Sequence, residues 1–135
     1  MATQVNAIVI GVKDIKRAKD FYTRGLGCAV AQDTPAFVSF DLGEGSPTLA
    51  LYTWEGLAED AGVAPEGDGF RGFTFSHYVP TSDKVDEVLA HAKDAGGKVV
   101  RPGQEAKWGG YFGYFSDPDG YLWKVVAAAD GGGKS

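Results

Sequence analysis

Residues 5–54 and 72–128 run through the same order of patterns, and this internal repeat constrains the fold more than any other feature. In the first stretch, residues 5–12 read as a strand, and Asp14 is placed to cap a helix. Ile15, Ala18, Phe21, Tyr22 and Leu26 recur at helical spacing, and Gly25 and Gly27 stop the helix. Strands over 28–32, 36–42 and 47–54 follow, with Gly43 and Gly45 marking a turn. The second stretch opens with a strand over 73–79. Thr81 or Ser82 then caps a helix carrying Val85, Val88, Leu89 and Ala92, which Gly96-Gly97 ends. Residues 98–101 open the last three strands. Gly25-Leu26-Gly27 answers Ala95-Gly96-Gly97, and Phe40-Asp41 answers Phe115-Ser116. The expected fold is therefore α+β: two tandem βαβββ modules, about 5–54 and 72–128, in one domain spanning 1–128. Residues 55–68 form an acidic connector in which Leu57 and Ala58 indicate a short helix. The glycine-rich segment 129–135 is expected to be a disordered tail.

The last two strands meet at Asp117-Pro118-Asp119-Gly120. Pro118 presets φ for a turn and Gly120 can supply a positive φ, so the flanking residues 108–116 and 121–126 fold into a hairpin. Composition narrows the partners. A formal charge of −5 argues against nucleic acid or an anionic membrane. No apolar run approaches the roughly 20 residues of a membrane span, and residues 1–20 lack a signal peptide's pattern, so a cytoplasmic location is expected. Cys28 is the single cysteine, which excludes an intrachain disulfide and is read as core packing.

The hairpin, from Trp108-Gly109-Gly110 through the Asp-Pro-Asp-Gly turn to Trp123-Lys124-Val125, closely resembles the closing hairpin of the vicinal oxygen chelate superfamily. That superfamily includes glyoxalase I, extradiol dioxygenases, fosfomycin-modifying enzymes and bleomycin-resistance binding proteins. The repeat extends the resemblance over nearly the whole chain. It implies an open, cup-shaped mixed sheet with helices outside; since neither module can bury both faces of its sheet alone, a homodimer or an intimate module pair is expected. In the metalloenzymes of the family a Glu follows the turn Gly by four residues and binds the metal; here that residue is Lys124. The other three ligand positions the resemblance implies fall on Ala7, Ala50 and Phe73. Two methyls, a phenyl ring and an ammonium offer no ligand to a divalent ion. No metal, no cofactor and no catalytic residue is therefore expected. Trp108-Gly109 is similar to a Trp-Gly pair in the bleomycin-resistance proteins, whose drug lies in a groove at the dimer interface.

Strand alternation names the cup-facing residues. Val9 and Gly11 accompany Ala7; Thr48, Tyr52 and Trp54 accompany Ala50; Phe75 and His77 accompany Phe73; Leu122 accompanies Lys124. The hairpin adds Trp108, Tyr111 and either Phe112 or Tyr114, while Trp123 is expected behind the sheet. The expected ligand-binding set is Tyr52, Trp54, Phe73, His77, Trp108, Tyr111, Tyr114 and Lys124. For Phe73 and Tyr52, core packing stands level with a pocket role, and His77 has a bland reading as a hydrogen-bonded histidine. Small residues that leave room beside aromatic walls suit a pocket. The leading function is a metal-free, homodimeric protein that sequesters a planar aromatic or amphipathic molecule, such as an antibiotic. The alternatives are a glyoxalase-like lyase or isomerase, a metal-independent enzyme using His77 or Lys124 as acid–base group, and a structural domain without ligand.

Overall fold

A computed structural model describes residues 5–61, 63–67, 71 and 73–128; the expected tail at 129–135 lies outside them. The chain divides into two compact units, residues 1–67 and 68–135. Together they carry three α-helices and two four-stranded mixed sheets, an α+β fold built as the repeat predicts.

In the first unit, β1 (Ala7–Val12) leads to α1 (Ile15–Asp20), whose last turn widens to π geometry over Phe21–Gly25. The Asp14 carboxylate accepts the Arg17 N–H at 3.0 Å and so caps the helix start. Gly27, at φ +71°, turns the chain out of it. Strands β2 (Ala29–Thr34), β3 (Phe37–Asp41) and β4 (Thr48–Thr53) complete a sheet in the order β1-β4-β3-β2, with β1 parallel to β4. Ile10, Val12, Leu49, Leu51, Val38 and Phe40 are buried on the α1 side. Tyr22 links that helix to the sheet, its ring 5.1 Å from Phe21 and 5.8 Å from Phe40.

The chain leaves β4 directly into α2 (Trp54–Ala61), the short helix expected around Leu57 and Ala58, which begins one residue before the connector. The Thr53 hydroxyl accepts the Gly56 N–H at 3.2 Å, the geometry of an N-cap. Trp54 therefore opens a helix and does not end a strand. The helix lies against β1 at Gly11, where a Cβ would meet Trp54 Cα at 3.3 Å.

In the second unit, β5 (Phe75–Val79), α3 (Ser82–Asp94), β6 (Lys98–Glu105), β7 (Tyr111–Ser116) and β8 (Leu122–Ala127) repeat the plan in the order β5-β8-β7-β6. Thr81 is the cap, accepting the Lys84 N–H at 3.2 Å. Val85, Leu89 and Ala92 bury one face of α3 against the sheet. Gly113 permits this approach, since a Cβ there would lie 2.6 Å from Leu89 Cδ1 and 2.9 Å from the Arg101 carbonyl. The repeat reaches down to irregularities. The register shifts between Val30 and Gln32 on β2, and between Val99 and Arg101 on β6. Pro102 follows on that irregular edge strand, where its missing N–H is tolerated.

Candidate functional site

The closing hairpin folds as its sequence requires. The Asp117 carboxylate, buried, accepts the N–H groups of Asp119 and Tyr121, each at 2.9 Å, and Gly120 takes φ +91°. This turn fixes the register of β7 and β8, and the register decides what lies on each face. Tyr114 pairs with Lys124, Gly113 with Val125 and Phe115 with Trp123. Gly113 touches α3, so Tyr111, Phe115, Trp123 and Val125 share the helix side. Phe112, Tyr114 and Lys124 take the opposite side.

Trp123 stands behind the sheet as expected, its ring stacked on Phe115 at 5.8 Å and lying 4.6 Å from Phe75. That second contact corrects the expected inward set. Phe75 pairs with Trp123 and His77 with Val125, so both lie on the helix side, not with Lys124. It is Ser76 that pairs with Lys124. In the first unit Val9 pairs with Ala50, the counterpart of Lys124, so Ala7 corresponds to Thr74 and not to Phe73. Phe73 packs instead on Phe75 at 5.4 Å and Tyr121 at 6.1 Å. His77 is exposed, and desolvation by the surrounding protein holds its pKa below the ordinary 6.5.

Tyr111 also leaves the expected set. Its hydroxyl donates to Asp86 of α3, at 2.9 and 3.2 Å from the two carboxylate oxygens. Desolvation and then the adjoining Asp86 carboxylate raise its pKa. Trp54 belongs to the first unit, half-buried, with its indole N–H donated to the Pro65 carbonyl at 2.6 Å and Lys13 Nζ 4.8 Å from its ring. Tyr52, half-buried on the Ala50 side of that unit's sheet, packs edge-on to Phe37 at 6.1 Å. Cys28 is half-buried and not fully in the core expected of it, and desolvation pushes its thiol pKa up to about 11, the opposite of what a nucleophile needs.

Four of the named or neighbouring residues do come together: Trp108, Phe112, Tyr114 and Lys124. The Lys124 ammonium lies 5.1 Å from the Phe112 ring centre and 6.0 Å from that of Trp108. Phe112 and Tyr114 meet edge-to-face at 6.2 Å. Trp108 is 53% exposed, and its ring folds over Gly110, where any Cβ would collide with it. Arg101 joins the same group from β6, paired in register with Tyr114 and 5.2 Å from the Phe112 ring. Sequence reasoning missed Arg101, which only the pairing of β6 with β7 brings to this face. Strand alternation could have placed Phe112 together with Tyr114 and set Tyr111 apart.

The group offers flat rings beside two cations. It offers a metal no imidazole, carboxylate or thiolate, the groups that sites for divalent ions are built from. Among the described residues, no three His, Cys, Asp or Glu side chains are grouped to hold one. No described helix is long and apolar enough to cross a membrane.

The model of the Glyoxalase/Bleomycin resistance protein/Dioxygenase superfamily matches residues 4–125. No curated protein matches the chain. Among solved structures, a glyoxalase-related enzyme from Fulvimarina pelagi is 29% identical, with a TM-score of 0.85 over 93% of this chain and 88% of that one. A glyoxalase/bleomycin resistance protein/dioxygenase family enzyme from Burkholderia phytofirmans is 20% identical, with a TM-score of 0.81 over 92% and 98% of the two chains. A lactoylglutathione lyase from Agrobacterium tumefaciens, 20% identical, has a TM-score of 0.69 over 93% and 94%. At 20% identity the last two similarities speak for the fold alone.

Proposed function

The chain belongs to the Glyoxalase/Bleomycin resistance protein/Dioxygenase superfamily, and from that premise we propose that it is a metal-independent binding protein that sequesters a planar aromatic or amphipathic small molecule. One observation carries the reading. At the position where the resemblance places a metal-binding Glu, Lys124 rests over the rings of Phe112 and Trp108. Aromatic faces bind flat molecules by stacking, and a large exposed ring such as Trp108 has apolar area to gain by being covered. Trp108, Phe112, Tyr114 and Lys124 form the binding surface in this reading. The protein acts in the cytoplasm as a homodimer, without cofactor, nucleic acid or membrane partner. Titration with planar natural products, followed by Trp fluorescence, tests it: saturable quenching lost in Trp108→Ala supports the reading, and a flat response across the panel contradicts it.

A lyase or isomerase is the rival, favoured by the 29% identity to a glyoxalase-related enzyme. It requires metal ligands that Ala7, Ala50 and Lys124 do not supply. Turnover of a glyoxalase-type substrate on addition of zinc or nickel would establish the rival.

A further inference from the structure

We infer that the ligand held at the Trp108–Phe112–Tyr114 platform is an aromatic carboxylate, its ring on the platform and its anionic oxygens at Lys124 and Arg101. The inference rests on the binding reading above and specifies what that reading leaves open. Arg101 on β6, Tyr114 on β7 and Lys124 on β8 are register partners, so the three form one row across adjacent strands on the face away from α3. In the next row, Phe112 has both cations against it, Lys124 Nζ at 5.1 Å and Arg101 Cζ at 5.2 Å. A ring attracts a cation through its quadrupole but brings no negative charge, so both cations keep their full charge for another partner.

Neither finds that partner among the described residues. Among the described residues no carboxylate pairs with Lys124, and Arg101 donates only to the neutral Gln104 carbonyl, at 3.3 Å. This holds although the chain carries 18 acidic residues against 13 basic ones, so carboxylates are plentiful elsewhere. Lys19, for contrast, is paired with Asp33 and Lys84 with Glu87. Lys124 is half-buried, which raises the cost of its charge and the gain from a counter-ion. The Tyr114 hydroxyl, between the two cations in the row, can donate to the same anion. Two cations and a hydroxyl beside three rings match a planar ring bearing a carboxylate. An amine would meet like charge.

The test compares three isosteric probes on the full chain by Trp fluorescence: naphthalene-2-carboxylate, its neutral amide and naphthylmethylamine, with naphthyl phosphate as a second anion. The carboxylate should bind about tenfold tighter than the amide, as expected for charge-assisted hydrogen bonds, and the amine weakest. Added salt should weaken both anions and leave the neutral amide unchanged. Lys124→Met, which keeps the apolar stem, and Arg101→Gln should each narrow the carboxylate-to-amide ratio, and the two together should bring it to parity. Tighter binding of the phosphate than of the carboxylate overturns the carboxylate assignment in favour of a phosphoester. Equal binding of carboxylate and amide by the unaltered protein overturns the anion site and leaves the binding function standing. Quenching by none of the four probes overturns this inference, and the natural-product panel then decides the binding function separately.

Discussion

Three tryptophans carry three different jobs, and single substitutions separate them. Trp108 is exposed over Gly110, so Trp108→Ala should cost about 1–3 kcal/mol of ligand binding, the scale of an aromatic stacking platform, with little loss of stability. Trp123, half-buried, is stacked on Phe115 and tilted against Phe75. Its replacement by Ala should cost about 3 kcal/mol of folding free energy, in the range for a lost core aromatic, seen as a lower midpoint in urea. The sequence points to a pocket wall at Trp54, but its indole N–H donates to the Pro65 carbonyl. Trp54→Ala should lower stability and leave probe binding intact. Tyr111→Phe removes one hydroxyl shared with Asp86 and should cost about 1 kcal/mol, the usual worth of such a bond.

At the scale of elements, the passage of α3 over β7 leaves no room for a side chain at Gly113. Gly113→Ala would place a methyl 2.9 Å from the Arg101 carbonyl, a backbone atom that cannot swing away. The expected loss is about 1–3 kcal/mol, typical of overpacking, readable as a lower Tm. On β5, His77 gives a pH signature. Its pKa is depressed in the folded protein, so the unfolded chain binds more protons as pH falls below 6.5. Stability is full above that pH and declines below it, and His77→Gln should flatten the acid side of the profile. The repeat was legible because helix caps, glycine stops and strand alternation are local signals, as Asp14, Thr81 and Gly120 illustrate. The face of β5 was not legible. Phe73, Phe75 and Tyr78 put aromatic residues on both parities, and only pairing with β8, far along the chain, settles which side each takes. Arg101 was hidden for the same reason. The start of α2 was a missed local signal: Thr53 is a serviceable N-cap, obscured by the apolar run of β4 before it.

Across the whole molecule, a superfamily fold carries a group of rings and cations where the resemblance implies a metal. The homodimer proposed with it predicts a sedimentation coefficient for two chains at micromolar concentration; a monomer there would remove any interface groove. Zinc, nickel, iron or manganese should leave Tm unchanged, since only an ion bound to the native state shifts it. The most direct measurement of the central claim is ligand binding with metal controlled. Protein dialysed against a chelator is titrated with the planar natural-product panel, before and after restoring each of those four ions. Saturable Trp quenching by at least one compound is expected, with the same affinity in every case and none in Trp108→Ala. Quenching that appears only once an ion is restored would contradict it, and would return the protein to the metal-dependent side of its superfamily.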